Sequence, residues 1–280
     1  MESIALSLKN FLPTQAKKVY PAAGRCIYCS GSKDLTDEHV IPYGLGGRIE
    51  LPRSSCRKCS EVTSAFEHTC LRTMYGPLRL LYELPSRRKK ERPRLLRLKV
   101  KHFPAADWSY TDVEQEKYPF LVLFPYFSLP TELSDESEPE SRGATTKRLW
   151  IRGASPSFNF KELLERLTIE LGVYEVMPEA TTRVREFCQM LAKIGHSFAV
   201  GELGLDAFRP FLLPHIIGQD LDDRHRFIGS LPEDEVASNS LHELSITNTR
   251  LHDLVVVRIR LLAKLGTPTY FVVVGRRNSP

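Results

Sequence analysis

Two C-x-x-C pairs, Cys26 with Cys29 and Cys56 with Cys59, constrain this chain more than any other feature of its sequence. Four thiolates can converge tetrahedrally on one zinc ion at about 2.3 Å, and a shell of four protein sulfurs leaves no place for water. The pairs therefore predict a structural Zn²⁺ on Cys26, Cys29, Cys56 and Cys59 that holds the fold and takes no part in chemistry. Two local redox dithiols are the other reading, but these need a βαβ setting that the surrounding sequence lacks. No N-terminal segment reads as a secretory signal, and no apolar run reaches the roughly 18 residues of a membrane span. The expectation is a cytoplasmic protein with no membrane partner, where paired cysteines suggest metal before disulfides. Cys70 and Cys188 stand alone and read as small core residues.

The 26 residues between Cys29 and Cys56 exceed the usual ribbon spacing of about 15 to 20. The extra length carries DEHVIPYGLGG, Asp37 to Gly47. Gly46 and Gly47 suit a hairpin turn that needs positive φ. Beyond the second pair, Val62, Phe66, Cys70 and Met74 recur at i,i+4 and predict a helix from Ser60 to Tyr75, ended by Gly76-Pro77.

Taken together, CIYC, DEHVIPYGLGG and CRKCSEVTSAFE resemble a cysteine-bearing HNH endonuclease of the ββα-metal type, over roughly residues 24 to 75. The resemblance implies a hairpin whose first strand ends in the acid–histidine pair, with a helix facing it. It implies that Glu38 binds a catalytic Mg²⁺ or Mn²⁺ and that His39 is the general base that takes a proton from water. A carboxylate suits a hard cation, and an imidazole titrates near neutral pH. The implied reaction is hydrolysis of phosphodiester bonds in nucleic acid, DNA before RNA. Asp37 reads as a turn or supporting group. Two positions depart from the family pattern: Ser60 stands where an Asn or His follows the second C-x-x-C, which makes it a weak third ligand, and Leu51 stands in place of the middle Asn. From Ser60, Glu67 and His68 lie about 10 to 12 Å along a helix axis. These departures keep open a second reading, a catalytically silent zinc module that binds nucleic acid as an adaptor.

Charge supports a polyanionic partner. Residues 1 to 101 hold 20 Lys+Arg against 9 Asp+Glu, and the remainder holds 19 against 25. Clustered cations displace condensed counterions from a phosphate backbone. The densest run, SRRKKERPRLLRLKVK, puts Arg87, Arg88, Lys89, Lys90, Arg92 and Arg94 directly after the cysteine unit. These are the expected nucleic-acid contacts; a solvated loop with a charge-protected edge strand is the plainer reading.

The expected architecture is α+β, an N-terminal Cys₄-zinc ββα-metal domain followed by a C-terminal α+β domain with helices and an antiparallel hairpin. The divisions are an arm over 1–23, the zinc domain over 24–85, the basic run and strands over 86–130, an acidic linker or loop over 131–143, and an α+β domain over 144–280. In the last of these, FKELLERLTIEL reads as a short helix and Glu179 to Val200 as a longer one, whose stripe from Val184 to Phe198 is core. A third helix is expected over Leu205 to Ile216, interrupted by Pro210 and Pro214. LHDLVVVRIRLLAKL and TPTYFVVVG read as paired strands. His196, His242 and His252 lack the spacing of a second metal site. The resemblance attaches no activity to this half, which is left to targeting, self-association or contact with a protein partner.

Overall fold

The structure, a computed structural model, describes residues 11–88, 90, 92–133, 149–155, 159–218, 224–231, 236–247 and 253–278. Lys89, His252 and most of the acidic stretch 131–143 lie outside the described residues. The fold is mixed α and β, with several small sheets and few helices.

The cysteine unit is a hairpin followed by a helix. Strand β1 (Lys18–Val19) runs parallel to β3 (Ile49–Cys56), and β2 (Leu35–His39) pairs antiparallel with the other edge of β3. The β2–β3 register shifts between Thr36 and Glu38, so that residues 52 to 54 face Asp37 alone. Pro52, which cannot donate to a ladder, falls in this bulge. Arg53 there takes φ 47°, and its N–H is satisfied by Asp37 Oδ1 at 3.0 Å. Asp37 thus serves the bulge, as its turn reading suggested. In the loop back to β3, Gly46 has φ 85°. Gly47 is required for space instead, since a Cβ there would stand 2.1 Å from the Ile41 carbonyl oxygen.

Helix α1 (Arg57–Thr73) begins three residues before the expected Ser60, with extended Cys56 as its N-cap, and buries Cys59, Thr63, Phe66 and Cys70. Gly76-Pro77 opens the next helix, α2 (Gly76–Leu81). Proline is well placed there because its missing N–H would have no helical partner.

Strand β4 (Leu95–Lys101) lies between β5 (Ser109–Glu114) and β8 (Glu175–Met177), and β6 (Val122–Phe127) pairs with β7 (Leu149–Ala154). Helix α3 (Phe160–Leu171) ends on Gly172 in the left-handed region, and its Leu167 packs into a satellite cluster with Leu98 and Val100. Helix α4 (Val184–Leu203) is buried at every residue from Phe187 to Val200. A helix enclosed on all sides belongs to the interior. Gly195 lets it lie against the sheet, where a Cβ would meet Val274 at 2.9 Å.

The sheet beneath α4 contains β9 (Phe208–Pro210), β10 (Ile228–Ser230), β11 (His242–Thr247), β12 (Leu254–Leu261) and β13 (Thr269–Arg277), in the order β10-β13-β12-β11 with β9 also on β13. The expected strand pair is β12–β13. The expected helix over 205–216 is replaced by β9 and a single turn, α5 (Leu213–Ile216). Pro210 biases its predecessor toward extended backbone, and Pro214 can only sit at the start of a helix. Among the described residues, no helix is long and apolar enough to cross a membrane.

The largest apolar cluster joins Val40, Ile41, Leu45 and Phe66 from the cysteine unit to Phe187, Leu191, Ile194, Val257 and Val272 from the C-terminal half. Helix α1 packs directly on α4.

Candidate metal centre and cleft

The first knuckle is a tight loop: Cys26 N–H donates to the Gly31 carbonyl at 2.7 Å, and Ser30 N–H to the Cys26 carbonyl at 2.9 Å. Ile27 N–H donates to Ser54 on β3 at 2.8 Å, which hangs the knuckle on the strand leading to the second pair. Cys56 caps α1 and Cys59 lies in its first turn. All four sulfurs come within 4.8 Å of one another, with Cys29 and Cys56 at 3.6 Å. A tetrahedron with Zn–S of 2.3 Å requires sulfur separations of about 3.8 Å, so the donor set fits one zinc ion. Burial pushes the Cys26 thiol up, and burial with the neighbouring sulfurs pushes Cys59 up further. Burial also opposes ionisation of Cys56, but hydrogen bonds from the Cys59 backbone and the neighbouring thiols hold it below its usual value. Such a cluster reaches the four-thiolate state only with a cation at its centre.

Between the end of β2 and the exposed face of α1 lies a cleft of about 330 Å³. His39, Ser60, Ser64, Glu67, His68 and Arg87 are among the residues that line it. The His39 side chain is one-third exposed, and its Nδ1 stands 3.9 Å from Glu50 Oε1 on the paired strand. Burial holds its imidazole below the usual histidine range; Glu50 opposes this, and Lys193 adds to it. The ring is therefore neutral at neutral pH, the form that can accept a proton.

Glu38 also lines the cleft but is far less exposed than His39. Its side chain is 8% exposed, and Oε1 lies 2.6 Å from Nζ of Lys193 on α4. The same Nζ lies 2.8 Å from Glu67 Oε1 on α1 and donates to the backbone carbonyls of His39 and Val40, the latter at 3.4 Å. Burial lowers the Lys193 pKa, but the two carboxylates outweigh it and hold the ammonium charged. Burial pushes the Glu67 carboxyl up, Lys193 pulls it down, and repulsion from Glu38 adds to the rise. Glu38 and Ser60, the residues expected to hold Mg²⁺ or Mn²⁺, do not fit a divalent ion in this arrangement. The carboxylate of one is committed to an ammonium, and the other brings a neutral hydroxyl. Glu67, set too far away by axial rise from Ser60, is the facing carboxylate, because the end of β2 crosses α1 beyond its first turns.

Sequence reasoning did not single out Lys193. The available signal was one formal charge inside FCQMLAKIGHSFAV, since a lysine in a buried helix must find partners. Two buried histidines act alongside it. His196 Nε2 meets the Ile27 carbonyl of the first knuckle at 2.8 Å. His242 accepts Leu262 N–H at Nδ1 and so donates from Nε2 to the Leu45 carbonyl at 3.0 Å. Arg79, which also lines the cleft, spends its guanidinium on the carbonyls of Gly44, Leu71 and Pro85.

Of the basic run, Arg87 reaches the cleft rim, and Arg88, Lys90 and Arg94 are exposed. Arg92 is half-buried and donates to the Leu84 carbonyl. Comparison with protein-family models, with curated proteins and with solved structures returned no match.

Proposed function

We propose that this chain is an HNH-type phosphodiester hydrolase acting on nucleic acid, DNA before RNA, with His39 as its general base. The observation that carries the reading is the placement of His39: a neutral, one-third-exposed imidazole at a strand end, facing a helix across an open cleft beside a four-cysteine cluster. In this reading zinc on Cys26, Cys29, Cys56 and Cys59 fixes the hairpin and the start of α1, and supplies no acid chemistry. His39 takes the proton of a water that attacks phosphorus, the ester P–O bond opposite that water breaks, and the leaving oxygen takes a proton from solvent water. Arg87 and the hydroxyls of Ser60 and Ser64 face the phosphate, and Arg88, Lys90 and Arg94 meet the backbone beyond the rim.

Nicking of supercoiled plasmid by the zinc-loaded protein, with Mg²⁺, Mn²⁺, Ni²⁺ and no added ion, tests it. Loss of a positioned base lowers the rate by about 10² to 10⁴, so His39→Ala should nick at least about a hundredfold more slowly. Undiminished nicking by that variant removes His39 from the role.

A second reading is the silent nucleic-acid-binding adaptor, favoured by the commitment of Glu38 to Lys193 and by Ser60 in the ligand position. Its signature is duplex binding that weakens steeply with salt and is never followed by nicking.

A further inference from the structure

We infer that Lys193 is the resident cation of this cleft: its ammonium fills a four-oxygen site made by Glu38, Glu67 and the backbone carbonyls of His39 and Val40, and keeps divalent ions out of it. The donor set is one that a hard cation would choose, two carboxylates and two carbonyls from the end of β2 and from α1 converging on one point. The occupant is tethered. Lys193 is fully buried on α4, so its charge is present at an effective concentration that a dissolved ion cannot match. Glu38 and Glu67 are 8% and 17% exposed, which leaves little access for an ion such as Mg²⁺ that sheds its waters reluctantly. Two carboxylates around one ammonium also leave an excess negative charge, so emptying the site would create a strong demand for a dication. The inference is independent of whether the chain cleaves nucleic acid. It assigns a metal-like role to a side chain, and it predicts that any hydrolysis at His39 proceeds without a divalent ion on Glu38.

The test uses the full zinc-loaded chain without nucleic acid, so a failure to nick DNA cannot be mistaken for its failure. Mn²⁺ is titrated and the free ion followed by electron paramagnetic resonance in wild type, Glu38→Gln, Lys193→Ala and the Lys193→Ala/Glu38→Gln double variant. Wild type should show no Mn²⁺ site that Glu38→Gln removes. Lys193→Ala should gain one Mn²⁺ per chain and lose it in the double variant. At ion concentrations about 100 times Kd, its thermal midpoint should rise by about 5–10 °C, while wild type stays put. If Lys193→Ala is unfolded alone, folding on addition of Mn²⁺ is the same gain. A Glu38-dependent Mn²⁺ site in wild type overturns the inference. So does a Lys193→Ala protein that neither binds the ion nor folds with it.

Discussion

The two ends of helix α1 hold the hairpin by opposite chemistries. At the N-terminal end Cys56, held below its usual thiol value, and Cys59, pushed up by burial and neighbouring sulfurs, bring sulfur into a cluster with Cys26 and Cys29 that is completed only by an ion from solution. Farther along, Glu67 brings oxygen to a cluster that already contains its cation, supplied by α4. Local sequence builds the first cluster, all of whose cysteines fall between Cys26 and Cys59. Tertiary structure builds the second, with Lys193 and His39 separated by 154 positions. A soft-ligand site can therefore be regulated from outside by metal supply, whereas the ammonium site is switched only by mutation or unfolding.

The largest effect expected from this contrast is on the sulfur side. Cys59→Ser, or exhaustive chelation, removes binding free energy of about 10–16 kcal/mol for a structural zinc and should unfold the hairpin, seen as proteolytic cutting between residues 24 and 75. Partial retention of the fold without zinc would mean that the hydrogen bonds from His196 and His242 to the cysteine unit suffice. Next comes acid. His196 and His242 are pushed down to about 4 by burial, against their hydrogen bonds to Ile27 and Leu45. Between pH 6.5 and about 4 the unfolded chain binds more protons than the folded one, so stability is full above pH 6.5 and falls as pH drops through that window. The loss is about 3 kcal/mol per histidine, read from urea midpoints, and the His196→Gln/His242→Gln variant should show a shallower decline. On the oxygen side, Lys193→Met keeps the length and removes the charge, leaving two buried carboxylates without their cation. Its cost should be about 3–5 kcal/mol, and a cost below 1 kcal/mol would mean that the cluster protonates at no penalty. The smallest effect belongs to an exposed pair on a remote helix, Lys161 with Glu165. Lys161→Ala should change stability by no more than about 0.5 kcal/mol.

Much of this frame was legible in the sequence. The helix over residues 160–171 and the β12–β13 pair coincide with their periodic segments, because local pattern and burial agree there. The four cysteines announced their convergence through spacing alone. The segment over 205–216 does not form the helix that its apolar spacing predicts, because Pro210 and Pro214 override that spacing. Glu67 was misplaced because axial rise measures distance along a helix and says nothing of where a crossing strand meets it. Lys193 was missed because no period links it to Glu38, and a lone charge in an apolar helix states that a partner exists without saying which. The same limit hid His196 and His242, whose carbonyl partners lie 169 and 197 positions away.

The His242–Leu45 hydrogen bond also sets an order of events during synthesis. At about 5–20 residues per second, the 197 positions between its partners take roughly 10–40 s to translate. Throughout that interval the turn beyond His39 lacks the imidazole that later pairs with its carbonyl, and until α4 emerges Glu38 faces no ammonium. The knuckles can take up zinc early, yet the cleft becomes a finished object only after most of the chain has left the ribosome. A nascent or truncated product would carry the four cysteines and His39 without the buried contacts that fix the end of β2 against α1 and α4.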